Sequence, residues 1–147
     1  MIERSVIQSI TQSHVLTMPP DASSYAAACA MTKAHCGSVL IVDGAGAMLG
    51  ILTERDLMTK LLAQRRDPET TPVLDIMTHN PQFVAPETTV SDAVLIMQRH
   101  NFRHLPIVAP DSKILGVFSL RDAMARELVQ AEQMADLIDQ QLTNVLS

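Results

Sequence analysis

Aromatic side chains are nearly missing from this chain, with three Phe, one Tyr and no Trp among 147 residues. Proteins that hold single-stranded nucleic acid stack bases on aromatic platforms, and duplex binders carry a basic surplus. Eleven basic against 16 acidic residues, a net charge of −5, supply neither, so nucleic acid is not expected as a partner. No apolar run approaches the ~18 residues that a membrane span needs. The first ten residues are interrupted by Glu3, Arg4 and Gln8, unlike a secretory leader, so no membrane is expected and a cytoplasmic location is. Only two cysteines occur, Cys29 and Cys36, without CxxC or metal spacing, and they read as buried reduced thiols. Neither a nucleophile–base pair, a metal set nor a Gly-rich phosphate loop is recognisable, so enzymatic activity is not expected.

What the chain does have is aliphatic mass. Hydrophobic residues make up 47% of it, nine are Met, and the length suits one ordinary domain or two very small ones. Displacing the sequence by 66 residues, without a gap, superimposes Pro20 on Pro86, Ala27 on Ala93, Met31 on Met97 and Ile41-Val42 on Ile107-Val108. The same register superimposes Leu49-Gly50 on Leu115-Gly116, Arg55-Asp56 on Arg121-Asp122 and Leu62 on Leu128. An ungapped match of this length marks a tandem repeat.

Each unit shows the same order of patterns. A short extended segment precedes a Pro, then small polar residues that can cap a helix (Ser23 and Ser24; Thr88 and Thr89), and then an apolar stripe at helical spacing, clearest in Val90, Ala93, Val94 and Met97. Two apolar runs follow around a turn, Val39–Val42 with Met48–Leu52 and Leu105–Val108 with Ile114–Phe118, and a second helix starts at Thr53 or Ser119. The expected fold is α/β (α+β): two β-α-β-β-α units packed through their sheets with pseudo-twofold symmetry. The expected boundaries are 7–66 for the first unit, 67–74 for a polar linker, 75–130 for the second unit and 131–147 for a helical extension. Along that extension Met124, Leu128, Ala131, Ala135, Ile138, Leu142 and Val145 form a stripe that either covers the chain's own core or faces a partner.

Both units end their hairpin with one signature: Gly50-Ile51-Leu52-Thr53-Glu54-Arg55-Asp56 and Gly116-Val117-Phe118-Ser119-Leu120-Arg121-Asp122. A hydroxyl followed three residues later by an acid is a helix capping box. The same place presents unpaired N–H groups and a positive dipole end, which suit phosphate, and a carboxylate one turn on can accept from ribose hydroxyls.

With Asp75-Ile76-Met77-Thr78 and Arg103-His104-Leu105-Pro106-Ile107-Val108, these features resemble a tandem pair of cystathionine β-synthase-type (CBS) domains over roughly residues 7–135. The resemblance implies two clefts for adenosine-containing ligands, with AMP, ADP or ATP, or S-adenosylmethionine, as the candidates. It implies that Asp56 and Asp122 hold ribose hydroxyls, and that Thr53 and Ser119 face phosphate or ribose beside Arg55 and Arg121. Gly37 and Ser38, Arg103 and His104, and Met77 and Thr78 would line the clefts, with Thr11 and Gln12 as weaker counterparts. Gly37-Ser38 lacks the basic pair of Arg103-His104, so the clefts should differ, and an anionic ligand should favour the second unit. Arg99 and His100 read as cations at a helix C-terminus, and His14, His35 and His79 have no assigned role. The functional expectation is a non-catalytic regulatory sensor, a homodimer that signals to a regulated protein on a separate chain. The alternative is a ligand-independent dimerisation or interaction module built on the C-terminal helix.

Overall fold

The structure is a computed structural model that describes residues 3–10 and 15–146, with the backbone alone at 125–130. Thr11, Gln12 and His14 lie outside the described residues. The elements are α1 (Val6–Ser9), β1 (Thr17–Met18), α2 (Ser24–Ala34), β2 (Ser38–Val42), β3 (Met48–Thr53) and α3 (Glu54–Asp56), which runs on as a wide helical turn over Leu57–Leu62. A short turn at Val73–Asp75 leads to β4 (Thr78–His79), α4 (Val90–His100), β5 (His104–Val108), β6 (Ile114–Ser119) and α5 (Leu120–Leu146). The repeat is therefore structural: α2, β2 and β3 reappear as α4, β5 and β6 at the same displacement. Even the irregularity between Ile41 and Val42 recurs between Ile107 and Val108.

The helices start and stop where side chains satisfy the exposed backbone. Ser23 Oγ accepts from Ala26 N–H at 3.0 Å and Thr89 Oγ1 from Asp92 N–H at 3.2 Å. Beside this cap Glu3 reaches in from the N-terminus and accepts from Ser91 N–H at 2.9 Å. Both helices end on a left-handed residue, His35 and Asn101. Cys29 is exposed and Cys36 half-buried, contrary to the reading as buried thiols. The buried face of α2 is Ser24, Ala27 and Met31, and Cys29 projects from the other side of the helix.

Two cores result. The first gathers Ala27, Met31, Val39, Ile41, Leu52 and Leu61 with Val73, Ile76 and Met77. The second gathers Val84, Ala93, Met97, Leu105, Ile107, Phe118 and Ala123 with Val6. The segment before each unit thus closes the core of the other. Thr71 and Val73 are buried, so the stretch expected as a linker is packed at its C-terminal end. Val73 N–H donates to Ala22 O at 2.8 Å, Ser24 N–H to Thr71 O at 2.9 Å, and reciprocally Val6 N–H to Thr88 O at 2.8 Å and Val90 N–H to Arg4 O at 3.0 Å.

Two close approaches lock this exchange. A Cβ on Gly50 would stand 2.6 Å from Met77 Sδ and from Thr78 O, and one on Gly116 would stand 2.8 Å from Ile10 Cδ1. Accordingly β4 joins the first sheet, in the order β1-β2-β3-β4, where Gly50 pairs with His79 and Ile51 with Thr78. The second sheet is β5-β6, extended by a parallel bridge between Val84 and Ile107. Because strand side chains alternate, Val39, Ile41, Leu105 and Ile107 face their own helices, while the equally buried Leu40 and Pro106 face the opposite way, towards the other sheet.

Ile76, fully buried in a core whose other strands and helices precede it by 14 residues or more, tests the exchange. Ile76→Ala is expected to lower stability in urea by about 2–5 kcal/mol, against within about 0.5 kcal/mol for the neighbouring exposed Leu74→Ala. Because each core needs the other unit's lead segment, one cooperative transition is expected. Two resolved transitions, or equal effects of the two variants, would contradict the reciprocal closure.

Candidate functional site

The two signatures lie at the same end of the strands, where β2 and β5 begin and β3 and β6 finish. Ser38 pairs with Thr53 and His104 with Ser119. Glu54 N–H donates to Gly37 O at 3.1 Å, and Leu120 N–H to Arg103 O at 3.0 Å, which draws each strand start against the following helix. In each unit the residues expected to share a cleft are therefore neighbours.

Both capping boxes form. Asp56 Oδ2 accepts from Thr53 N–H at 2.9 Å and from Thr53 Oγ1 at 3.1 Å, and Asp56 N–H donates to Thr53 Oγ1 at 3.3 Å. The second unit repeats this with Ser119 and Asp122 at 2.9, 3.1 and 3.4 Å. Asp56 is only 7% exposed and Asp122 only 5%. The other oxygen of Asp56 pairs with Lys60 Nζ at 3.0 Å. A carboxylate offers about four acceptor positions, so Asp56, with three contacts, retains capacity for a further hydroxyl. The Ser119 hydroxyl also stands at the start of a 27-residue helix, whereas α3 loses regular α-geometry after three residues. The dipole argument for anion binding is therefore stronger in the second unit.

The units meet across this end. A Cβ on Gly37 would lie 2.8 Å from His104 Nε2 and 3.0 Å from Glu54 Oε1, so the imidazole of the second unit and a carboxylate of the first converge on the place where Gly37 has no side chain. Arg55 Nη1 donates to Asn101 O at 2.8 Å and ties α3 to the end of α4. Arg55 thus joins the units, and the imidazole expected to serve the second unit reaches the first. Burial pushes the His104 imidazole below its ordinary 6.5 and leaves it neutral at pH 7. Glu54 and Asp122 oppose that shift, while Arg103 and Arg121 add to it.

Other expected positions are placed differently. Met77 is buried in the first core against Gly50, and Thr78 is exposed on β4. His100 stacks on Phe102 at 5.8 Å near the end of α4, in keeping with a helix-terminal role. Glu54 and Asn101 belong to the junction but were not legible in the repeat. Leu120 stands at the position of Glu54 in the other unit, and Asn101 signals only a helix end. A groove of about 530 Å³ opens at the far ends of the hairpins, between the turns around Ala45 and Ser112, remote along the strands from Thr53 and Ser119. Among the described residues no His, Cys, Asp or Glu group could hold a metal ion, and no helix is long and apolar enough to cross a membrane.

Comparison with known proteins gives the same two-part division. A family model described as "CBS domain" matches residues 7–63 and again 73–128. An uncharacterised 17.7 kDa protein of Acidianus ambivalens is 34% identical over 128 residues, covering 87% of this chain and 76% of that protein. A CBS domain-containing protein of Arabidopsis thaliana is 31% identical over 134 residues, but the chain spans only 24% of its length. Among solved structures, a CBS-domain containing protein from Agrobacterium tumefaciens is 28% identical with a TM-score of 0.76, covering 82% of this chain and 91% of that one. A CBS domain protein from Pyrobaculum aerophilum complexed with AMP is 25% identical with a TM-score of 0.75, covering 86% and 99%.

Removing either capping hydroxyl, Thr53→Ala or Ser119→Ala, is expected to cost about 0.5–2 kcal/mol in chemical denaturation, with Thr53→Ser close to wild type. The lowered pKa of His104 has a definite sign. A base that is harder to protonate when folded contributes stability that is complete above its unfolded value of 6.5 and is lost as pH falls through the lower folded value. Urea titrations between about pH 7.5 and 5 should show a steeper loss for wild type than for His104→Asn. Parallel pH profiles for the two proteins would show that the ring is not held neutral.

Proposed function

The chain belongs to the CBS-domain family as a tandem pair, and from that premise we propose that it is a non-catalytic regulatory sensor of an adenosine-containing ligand. The ligand is AMP, ADP or ATP, or S-adenosylmethionine, held at the capping-box end, and the bound state is signalled to a protein on a separate chain. The observation that carries this reading is the convergence of His104, Gly37 and Glu54 between two formed Ser/Thr–Asp boxes. The AMP complex of the Pyrobaculum relative supports it.

In this reading the ribose hydroxyls donate to the carboxylate of Asp56 or of Asp122. The phosphate lies against the N–H groups at the start of α5 and the side chains of Arg103, His104 and Arg121. Adenine packs on aliphatic residues, which suits a chain with four aromatic residues. A group bridging both units at one end has differential affinity for arrangements that alter their spacing, and only such a difference lets a ligand shift a conformation. Bound phosphate would also reverse the environment of His104: an anion beside the ring favours its protonated form, so binding should take up a proton.

Isothermal titration with AMP, ATP and S-adenosylmethionine tests the reading. Binding of at least one is expected, weakened roughly 10- to 100-fold by Asp122→Asn or Arg103→Ala, since a hydrogen bond to a charged group is worth about 1.5–3 kcal/mol. For a phosphate-bearing ligand, tighter binding is expected as the pH is lowered from 8 to about 6.5, near the ordinary His pKa. The reading fails if none of the three binds, or if both variants bind as wild type does.

A further inference from the structure

The family match ends at residue 128, but α5 continues to Leu146. At about 1.5 Å per residue its last 16 residues extend roughly 24 Å, and every one of residues 131–146 is exposed. Nothing in the nucleotide reading uses them. On this stretch Ile138, Leu142 and Val145 are 49%, 55% and 82% exposed, with Met134 beside them at 59%. An isolated helix of this length is marginal in water, so an uncovered stripe of large aliphatic side chains calls for a partner.

The spacing identifies the partner's form. Met124, Leu128, Ala131, Ala135, Ile138, Leu142 and Val145 follow one another at steps of 4, 3, 4, 3, 4 and 3. This is a seven-residue repeat over three heptads, the 3.5-residue period of a supercoiled helix pair. No charge falls on the seam. The charged residues of 131–147 are Glu132, Asp136 and Asp139, with no Lys, Arg or His. That composition argues against an anionic membrane surface or nucleic acid, both of which select basic helices. The stripe repeats its own spacing, so two copies of it are complementary about a twofold axis. Met134, Ile138, Leu142 and Val145, each about half exposed or more, are the apolar surface such a pair would take out of water.

We infer that the C-terminal part of α5 is a homotypic coiled-coil interface, which pairs the chain with a second copy of itself through the seam Ala131, Ala135, Ile138, Leu142 and Val145. Because the charges beside the seam are all acidic, the two helices repel each other, and added salt tightens the pair. A basic partner helix would show the opposite salt dependence.

Cysteine crosslinking on the full chain, with Cys29 and Cys36 both replaced by Ser, provides the test. Val145→Cys, on the seam, should form an interchain disulfide with oxidised glutathione, whereas Gln140→Cys, on the outer face, should not. In sedimentation of the otherwise native chain, Ile138→Glu with Leu142→Glu should weaken self-association at least tenfold, and Gln140→Glu should leave it unchanged. Nucleotide titrations should be identical for all of these variants, so this inference can fail without the sensor reading failing. Equal crosslinking at positions 145 and 140 would overturn it. So would self-association that salt weakens, or a chain that stays monomeric until a basic peptide is added.

Discussion

Sixty residues with one sheet and two short helices cannot close an apolar core, and the rest of this molecule follows from how that shortage is met. Val73, Ile76 and Met77 fill the first core although they stand at the start of the second unit, and Val6 fills the second although it leads into the first. The exchange needs backbone approaches that a side chain would block, hence Gly50 under Met77 and Thr78 O, and Gly116 under Ile10. It also makes the units interdependent. Sheet faces not covered by helices turn towards one another, bringing Leu40 and Pro106 out of water.

That arrangement places the chemistry. Reciprocal packing brings the starts of β2 and β5 to one end, and each following helix begins there with its hydroxyl–carboxylate box. Local forces alone account for both boxes, since each satisfies orphan N–H groups at a helix start. What the box does not require is a neutral, half-buried imidazole from one unit standing against a glycine and a glutamate of the other. This asymmetry distinguishes the units: one contributes Arg103 and His104, while the other contributes Gly37 and Ser38 at the same repeat positions. A single copy of the motif would be an ordinary cap; two copies at the same end of the strands, with His104 of one unit against Gly37 and Glu54 of the other, are what the proposed ligand site rests on.

Much of this was legible in the chain. The displacement of 66 residues identifies every paired element, because the burial requirements of α2, β2 and β3 recur in α4, β5 and β6. The capping boxes were legible because hydroxyl-to-acid spacing is a local constraint. Cys29 was misread because a residue in an Ala-rich helix is not buried merely by that company; the helix's facing decides. Met77 and Thr78, expected from the resemblance to line the clefts, stand at the start of the second unit but pack and pair with the first. Glu54 and Asn101 had no signal, since their roles depend on residues 46 or more positions away or on the other unit's facing edge.

The sequence by itself determined the repeat, the element order, the caps and the heptad spacing of the tail, because each rests on interactions between residues a few positions apart or on an internal copy of the same pattern. Only the tertiary structure decided which lead segment closes which core, that His104 crosses to Gly37 and Glu54, and that residues 131–146 stand clear of the fold. Those outcomes depend on where distant segments compete for the same buried space, and periodicity along the chain carries no record of that competition.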